Sequence, residues 1–88
     1  MNQLINATTE KDFFNAIDTL GYEGCNEGLY IPAIDYTVKV DNADIAAFLN
    51  LDTDNAEDIL NAYQEHEQAV DAHFLYADRE NIIASFSK

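Results

Sequence analysis

Apolar residues change period along this chain, and the changes divide it into elements. In "TEKDFFNAIDTLG", residues 9–21, Phe13, Phe14, Ile17 and Leu20 recur at helical spacing. Thr9 stands where an N-cap belongs, Asp12 at the third helical position and Gly21 where a helix stops, which predicts a first helix. The period then shortens. "LYIPAIDYTVKV", residues 29–40, is β-branched and aromatic and alternates at Tyr36, Val38 and Val40. Pro32 cannot donate to a ladder, so it marks an edge or a turn between two short strands, and a small antiparallel hairpin is the simplest arrangement.

No strong breaker follows Pro32, and helical spacing returns. Asp41 or Asn42 can cap a short helix through Asn50. Asp54 with Glu57 makes a capping-box pattern that opens a long one. On that long helix Ala56, Ile59, Leu60, Tyr63, Val70 and Phe74 fall largely on one side, with Asp54, Glu57, Asp58, Glu65 and Asp71 on the other. From Asp78 onward a last helix presenting Ile82, Ile83 and Phe86 is favoured over a strand paired with "HFLYA". The expected fold class is therefore α+β and helix-rich: a first helix, a short β-hairpin, a pair of helices and a long acidic amphipathic helix with a short C-terminal element. At 88 residues, without repeats or low-complexity linkers, the chain reads as one compact domain, 1–88.

Charge changes this picture more than composition does. Seventeen acids against four bases leave a net charge of −13, and that self-repulsion opposes compaction. Apolar content of 48% and ten aromatics nevertheless place the chain among folding sequences. Nucleic acids and anionic membranes bind proteins through Lys and Arg, so the expected partners are basic proteins. The opening "MNQLINATTEKDFF" has no basic leader before an apolar run, and no stretch is long and apolar enough to span a bilayer. The single Cys25 forms no internal disulfide and suits a reducing compartment. A soluble, cytoplasmic protein is expected, in the host cytoplasm if the gene is a phage's. The sequence carries no signal for oligomeric state.

"NADIAAFLNLDTDNAEDILN", residues 42–61, resembles the helix-turn-helix unit of DNA-binding repressors. The resemblance rests on Ile45, Ala46, Leu49, Leu51, Ala56 and Ile59, with Asn50 where that family prefers Gly. In a DNA reader the second helix and the turn before it meet bases and phosphates. Here those positions hold Asp52, Thr53, Asp54, Glu57, Asp58 and Asn61. Like charges at contact cost on the order of 1 kcal/mol per pair even in high dielectric, so this face does not bind DNA directly.

Other chemistries fail on spacing. Asp52 and Asp54 begin like a calcium loop, but Ala56, Glu57 and Tyr63 stand where a ligand, the turn glycine and the closing acid belong. His66 and His73 lie ~10 Å apart along a helix, too far to share a metal without a third element. "HEQAVDAH" does not have zinc-protease spacing, and no phosphate loop or nucleophile elbow occurs. No cofactor, no metal and no enzymatic activity are expected.

From Val40 through Asp78 there are ten acids and no Lys or Arg, whereas ordinary solvated helix faces mix signs. Asp54 and Asp58 would stand ~6 Å apart along a helix, and Asp58 and Glu65 ~10 Å, comparable to one and two phosphate steps. In size, charge, acidic helix face and lack of a catalytic motif the chain is similar to the small acidic DNA-mimic inhibitors of phages and mobile elements, of anti-restriction or anti-CRISPR type. That resemblance implies a non-enzymatic inhibitor occupying the basic nucleic-acid groove of a nuclease, restriction enzyme or CRISPR effector. The residues assigned to the contact are Asp52, Asp54, Glu57, Asp58, Glu65 and Asp71, with Tyr76 as an interface aromatic and Tyr63 in the core. Two alternatives share the composition: an immunity protein or antitoxin with a few dominant anchors, and an anti-repressor or regulatory subunit that binds a transcription factor.

Overall fold

A computed structural model describes residues 7–86; residues 1–6, the start of the segment read above as lacking a basic leader, lie outside it. Five α-helices and a three-stranded antiparallel sheet make a helix-rich α+β domain among these residues. Helix α1, Glu10–Leu20, begins as its sequence directs: the Thr9 hydroxyl accepts from the Asp12 N–H at 3.1 Å. It ends at Gly21, whose φ of +104° suits glycine. Phe13, Ala16 and Ile17 form its buried face, at the i, i+3, i+4 spacing of one helix stripe.

The sheet is a meander of β1 (Glu23–Cys25), β2 (Gly28–Ile31) and β3 (Tyr36–Lys39), in that order. The expected hairpin is β2 with β3, Leu29 opposite Val38 and Ile31 opposite Tyr36. Strand β1 is an addition that hydropathy did not indicate, because all three of its residues are exposed. Pro32 opens a short 3-10 turn, Pro32–Ile34, whose exit requires Asp35 in the left-handed region. Gly28 has φ +147°, and a Cβ there would lie 2.1 Å from the Val38 carbonyl oxygen. Only glycine allows the two strands to meet at that point.

Helix α2 runs Asn42–Leu49 behind a full capping box between Asp41 and Asp44. It closes with Asn50 in the left-handed conformation (φ 58°, ψ 44°) and the Leu51 N–H donating back to Ala46 O at 2.9 Å. The expectation for the next helix is corrected at its start. Asn55, not Asp54, is the N-cap of α3 (Ala56–Glu65), its side-chain oxygen accepting from the N–H groups of Glu57 and Asp58 at 2.9 and 3.2 Å.

The single long acidic helix is also corrected. The chain breaks at His66 (φ −125°, ψ 26°), and α4 spans Glu67–Ala77. No glycine or proline marks the break; burial explains it. On one straight helix Ile59 and Leu75 would point about 160° apart. Both are buried, at 3% and 0% exposure, so the axis has to turn between them. Helix α5, Arg79–Phe86, is the expected C-terminal helix and buries Ile82.

The main core joins Phe13, Ala16 and Ile17 of α1, Leu29, Ile31 and Val38 of the sheet, Leu75 of α4 and Ile82 of α5. Each large apolar side chain fully buried there contributes about 1.5–3 kcal/mol. Helix α4 is thereby held against α1 on one side, while α2 and α3 pack beside it. That arrangement sets the two surfaces described next. No described helix is long and apolar enough to cross a membrane.

Candidate functional site

The acids assigned to partner contact separate into two groups. Asp52 and Asp54 in the turn, with Glu57, Asp58 and Glu65 on α3, are exposed. Glu57 and Asp58 occupy the first turn of α3, where carboxylates also complement the helix N-terminus. The Thr53 hydroxyl bridges the turn to Asp58 at 3.3 Å and accepts the Asn55 N–H at 3.1 Å, so the turn is tied to the helix it precedes. Asp58 and Glu65 lie seven residues apart on α3, nearly on one flank and ~10 Å apart along the axis. The ~6 Å step between Asp54 and Asp58 does not survive as a helical spacing, because Asp54 precedes the N-cap.

Asp71 is the correction. Helical periodicity places it on the outer face, yet it is buried at 1% exposure. The turn at His66 carries it inward, where Tyr22 donates to one carboxylate oxygen at 2.7 Å and Tyr63 to the other at 2.6 Å. Burial, and then the bond to Asp71, raises both hydroxyls well above the usual phenol range and fixes them as donors. Tyr76, assigned to the interface, is half-buried. It packs edge-on to Phe13 at 5.8 Å, carries the Arg79 guanidinium over its ring at 4.3 Å and donates to Thr8 O at 3.4 Å.

Tyrosine–aspartate pairs are the device that sequence reasoning missed. Besides the pair on Asp71, Tyr36 donates to Asp78 at 2.5 Å and Tyr30 to Asp35 at 2.7 Å. The Tyr36 hydroxyl is pushed up to about 12, chiefly by burial and then by that bond. The available signal was compositional: five tyrosines and only four basic residues in a chain of seventeen acids. Carboxylates that enter the fold must then find hydroxyl or amide donors.

The expected helix pair packs together. Ile59 is buried, Ile45, Ala46, Leu49 and Leu51 are half-buried, and Ala56 is exposed rather than inserted. Phe48, 38% exposed, stacks on His73 with ring centroids 4.3 Å apart, so His73 belongs to an aromatic edge that also includes Phe74. Among the described residues no three His, Cys, Asp or Glu side chains gather as a metal site.

A cavity of about 360 Å³ opens between the β1–β2 turn and helices α2, α3 and α4. Leu29, Val40, Ile45, Leu60, Val70 and Phe74 supply its apolar walls, Asn26, Asn42, Tyr63 and Asp71 are its polar lining, and Cys25 is also among its lining residues. Leu60 is 52% exposed. On α3 it lies two residues from Asp58, about 160° around the helix. Asp58 and Glu65 thus lie on the flank of α3 opposite the cavity, whereas Glu57, three residues before Leu60, lies within about 60° of it. No known protein family, curated protein or solved structure matches the chain.

Proposed function

We propose that this protein is a non-enzymatic inhibitor that binds the basic nucleic-acid groove of a target protein, with Asp and Glu side chains standing in for phosphates. The observation that carries the reading is the exposure of Asp52, Asp54, Glu57, Asp58 and Glu65 on one turn and the helix it opens, within a 39-residue stretch, 40–78, that holds no Lys or Arg. Such a surface repels nucleic acid and attracts what nucleic acid binds. Inhibition is competitive. Fixed negative charge accelerates encounter with a Lys- and Arg-lined groove, and affinity falls as salt rises.

One observation favours a second reading, an immunity-type inhibitor of a single basic toxin. Leu60 stands half-exposed beside an apolar cavity, as an anchor-dominated interface requires.

The immobilised chain tests the first reading against nuclease-treated host lysate at low and high salt, followed by elution with duplex DNA or RNA. The same capture is run with an Asp58→Asn, Glu65→Gln variant. A nucleic-acid-binding protein released by salt and by nucleic acid, and weakly held by the variant, supports phosphate mimicry. A partner indifferent to salt, to nucleic acid and to the variant overturns it.

A further inference from the structure

Among the described residues Asp71 combines burial with an absence of cationic partners. The residue is 99% buried, and its side-chain bonds among these residues come from two neutral hydroxyls. Each carboxylate oxygen accepts one of these hydroxyls, and neither bond brings a compensating positive charge. A buried anion is stabilised most by a cation, and here the cost of desolvating it has already been met in folding. Asp71 is one of the residues that line the cavity. Few basic side chains are available from the chain itself: four in all, of which Arg79 already lies against Tyr76.

We propose that this cavity receives an arginine side chain of a basic protein partner, its guanidinium directed at Asp71 and its aliphatic stem lying between Leu60, Val70 and Phe74. The inference rests on the preceding reading only in taking the partner to be basic. Charge and shape select the occupant. At about 360 Å³ the cavity lies near the small end of ligand pockets, which span roughly 300–1,000 Å³ and suit one extended side chain better than a folded segment. A lysine ammonium is more strongly hydrated and loses more on entry. The flat, weakly hydrated guanidinium can stack against Phe74 or Tyr63 while its charge is attracted to the buried Asp71 carboxylate. Because the cavity opens on the flank of α3 opposite Asp58 and Glu65, this contact is separate from those two acids.

The test uses the isolated, isotopically labelled chain, with capped arginine (acetyl-arginine methylamide) as probe and capped citrulline as its uncharged isostere. Arginine is expected to give saturable amide shifts at Leu29, Val70, Asp71 and Phe74, and citrulline no more than a small fraction of them. Leu60→Lys, at an exposed position, places a like charge at the mouth and should weaken the response roughly five- to tenfold without unfolding the chain. A bulky maleimide on Cys25, the chain's single cysteine, should also suppress it. The Asp58→Asn, Glu65→Gln variant should retain the cavity shifts, which separates this proposal from phosphate mimicry. Equal responses to arginine and citrulline, shifts confined to the outer acids of α3, no response, or a response unmoved by Leu60→Lys would each overturn it.

Discussion

Tyr63 donates a 2.6 Å hydrogen bond to Asp71 across the break at His66, joining the last turns of α3 to the first turns of α4. The bond holds two short helices at the angle that buries both Ile59 and Leu75. Tyr63→Phe leaves a buried carboxylate with one donor, and the expected loss is about 1–3 kcal/mol. Tyr22→Phe should cost a similar amount, and the double variant should depart from additivity because both hydroxyls serve one carboxylate. Urea denaturation measures each. Tyr30→Phe, which removes an exposed pair with Asp35, is the control, with an expected change within about 0.5 kcal/mol.

Alkali should unfold the protein through its tyrosines. The Tyr36 hydroxyl titrates near 12 in the fold against 10.0 for an ordinary phenol, and Tyr22 and Tyr63 are shifted in the same direction. Above the ordinary value the folded chain binds more protons than the unfolded one, so stability falls as pH rises. The contribution is fully present below pH about 10 and is lost as pH passes through about 12. Denaturation midpoints recorded across that window should decline, with tyrosinate absorbance rising together with unfolding. Tyr36→Phe should make the decline shallower.

Gly28→Ala should be among the most damaging single substitutions. The new Cβ would meet the backbone of Val38 and Val40 at 2.1 and 2.6 Å, and φ of +147° disfavours any L side chain. An expected loss of at least about 3 kcal/mol follows from strain and a disrupted strand pair. Thermal unfolding followed by circular dichroism is a sufficient check. An unchanged midpoint would mean that β2 and β3 do not meet as described.

Neutralising the outer acids should separate binding from folding. Asp58→Asn with Glu65→Gln removes two charges from a chain of net charge −13 and breaks no buried contact. Stability should stay within about 0.5 kcal/mol, because the fall in self-repulsion offsets the loss of the Asp58 charge at the N-terminus of α3. Partner association should slow and lose part of its salt dependence. Stopped-flow mixing with the captured partner reads the association rate directly. A faster rate for the neutralised variant would argue against electrostatic steering.

Local chemistry was legible in the sequence because its causes lie within a few residues. Thr9 and Asp41 cap the helices they precede, Gly21 and Asn50 adopt the left-handed backbone their residue types permit, and the alternation at Tyr36 and Val38 makes a strand. The helix-rich α+β class and the exposure of Asp52, Asp54, Glu57, Asp58 and Glu65 follow from the same short-range rules. Strand β1 escaped notice because an exposed edge strand owes its form to its neighbour's hydrogen bonds, not to an apolar face of its own.

What tertiary structure alone decided is the turn at His66 and everything that depends on it. A wheel drawn through residues 54–77 assumes one axis, and on one axis Asp71 belongs with the outer acids. Burial of both Ile59 and Leu75 bends that axis, and the bend carries Asp71 from solvent to the hydroxyls of Tyr22 and Tyr63, one of them 49 residues away in sequence. Periodicity describes the face of a straight helix. Where that face points, and which carboxylate lines a cavity, is decided by the core against which the helix has to pack.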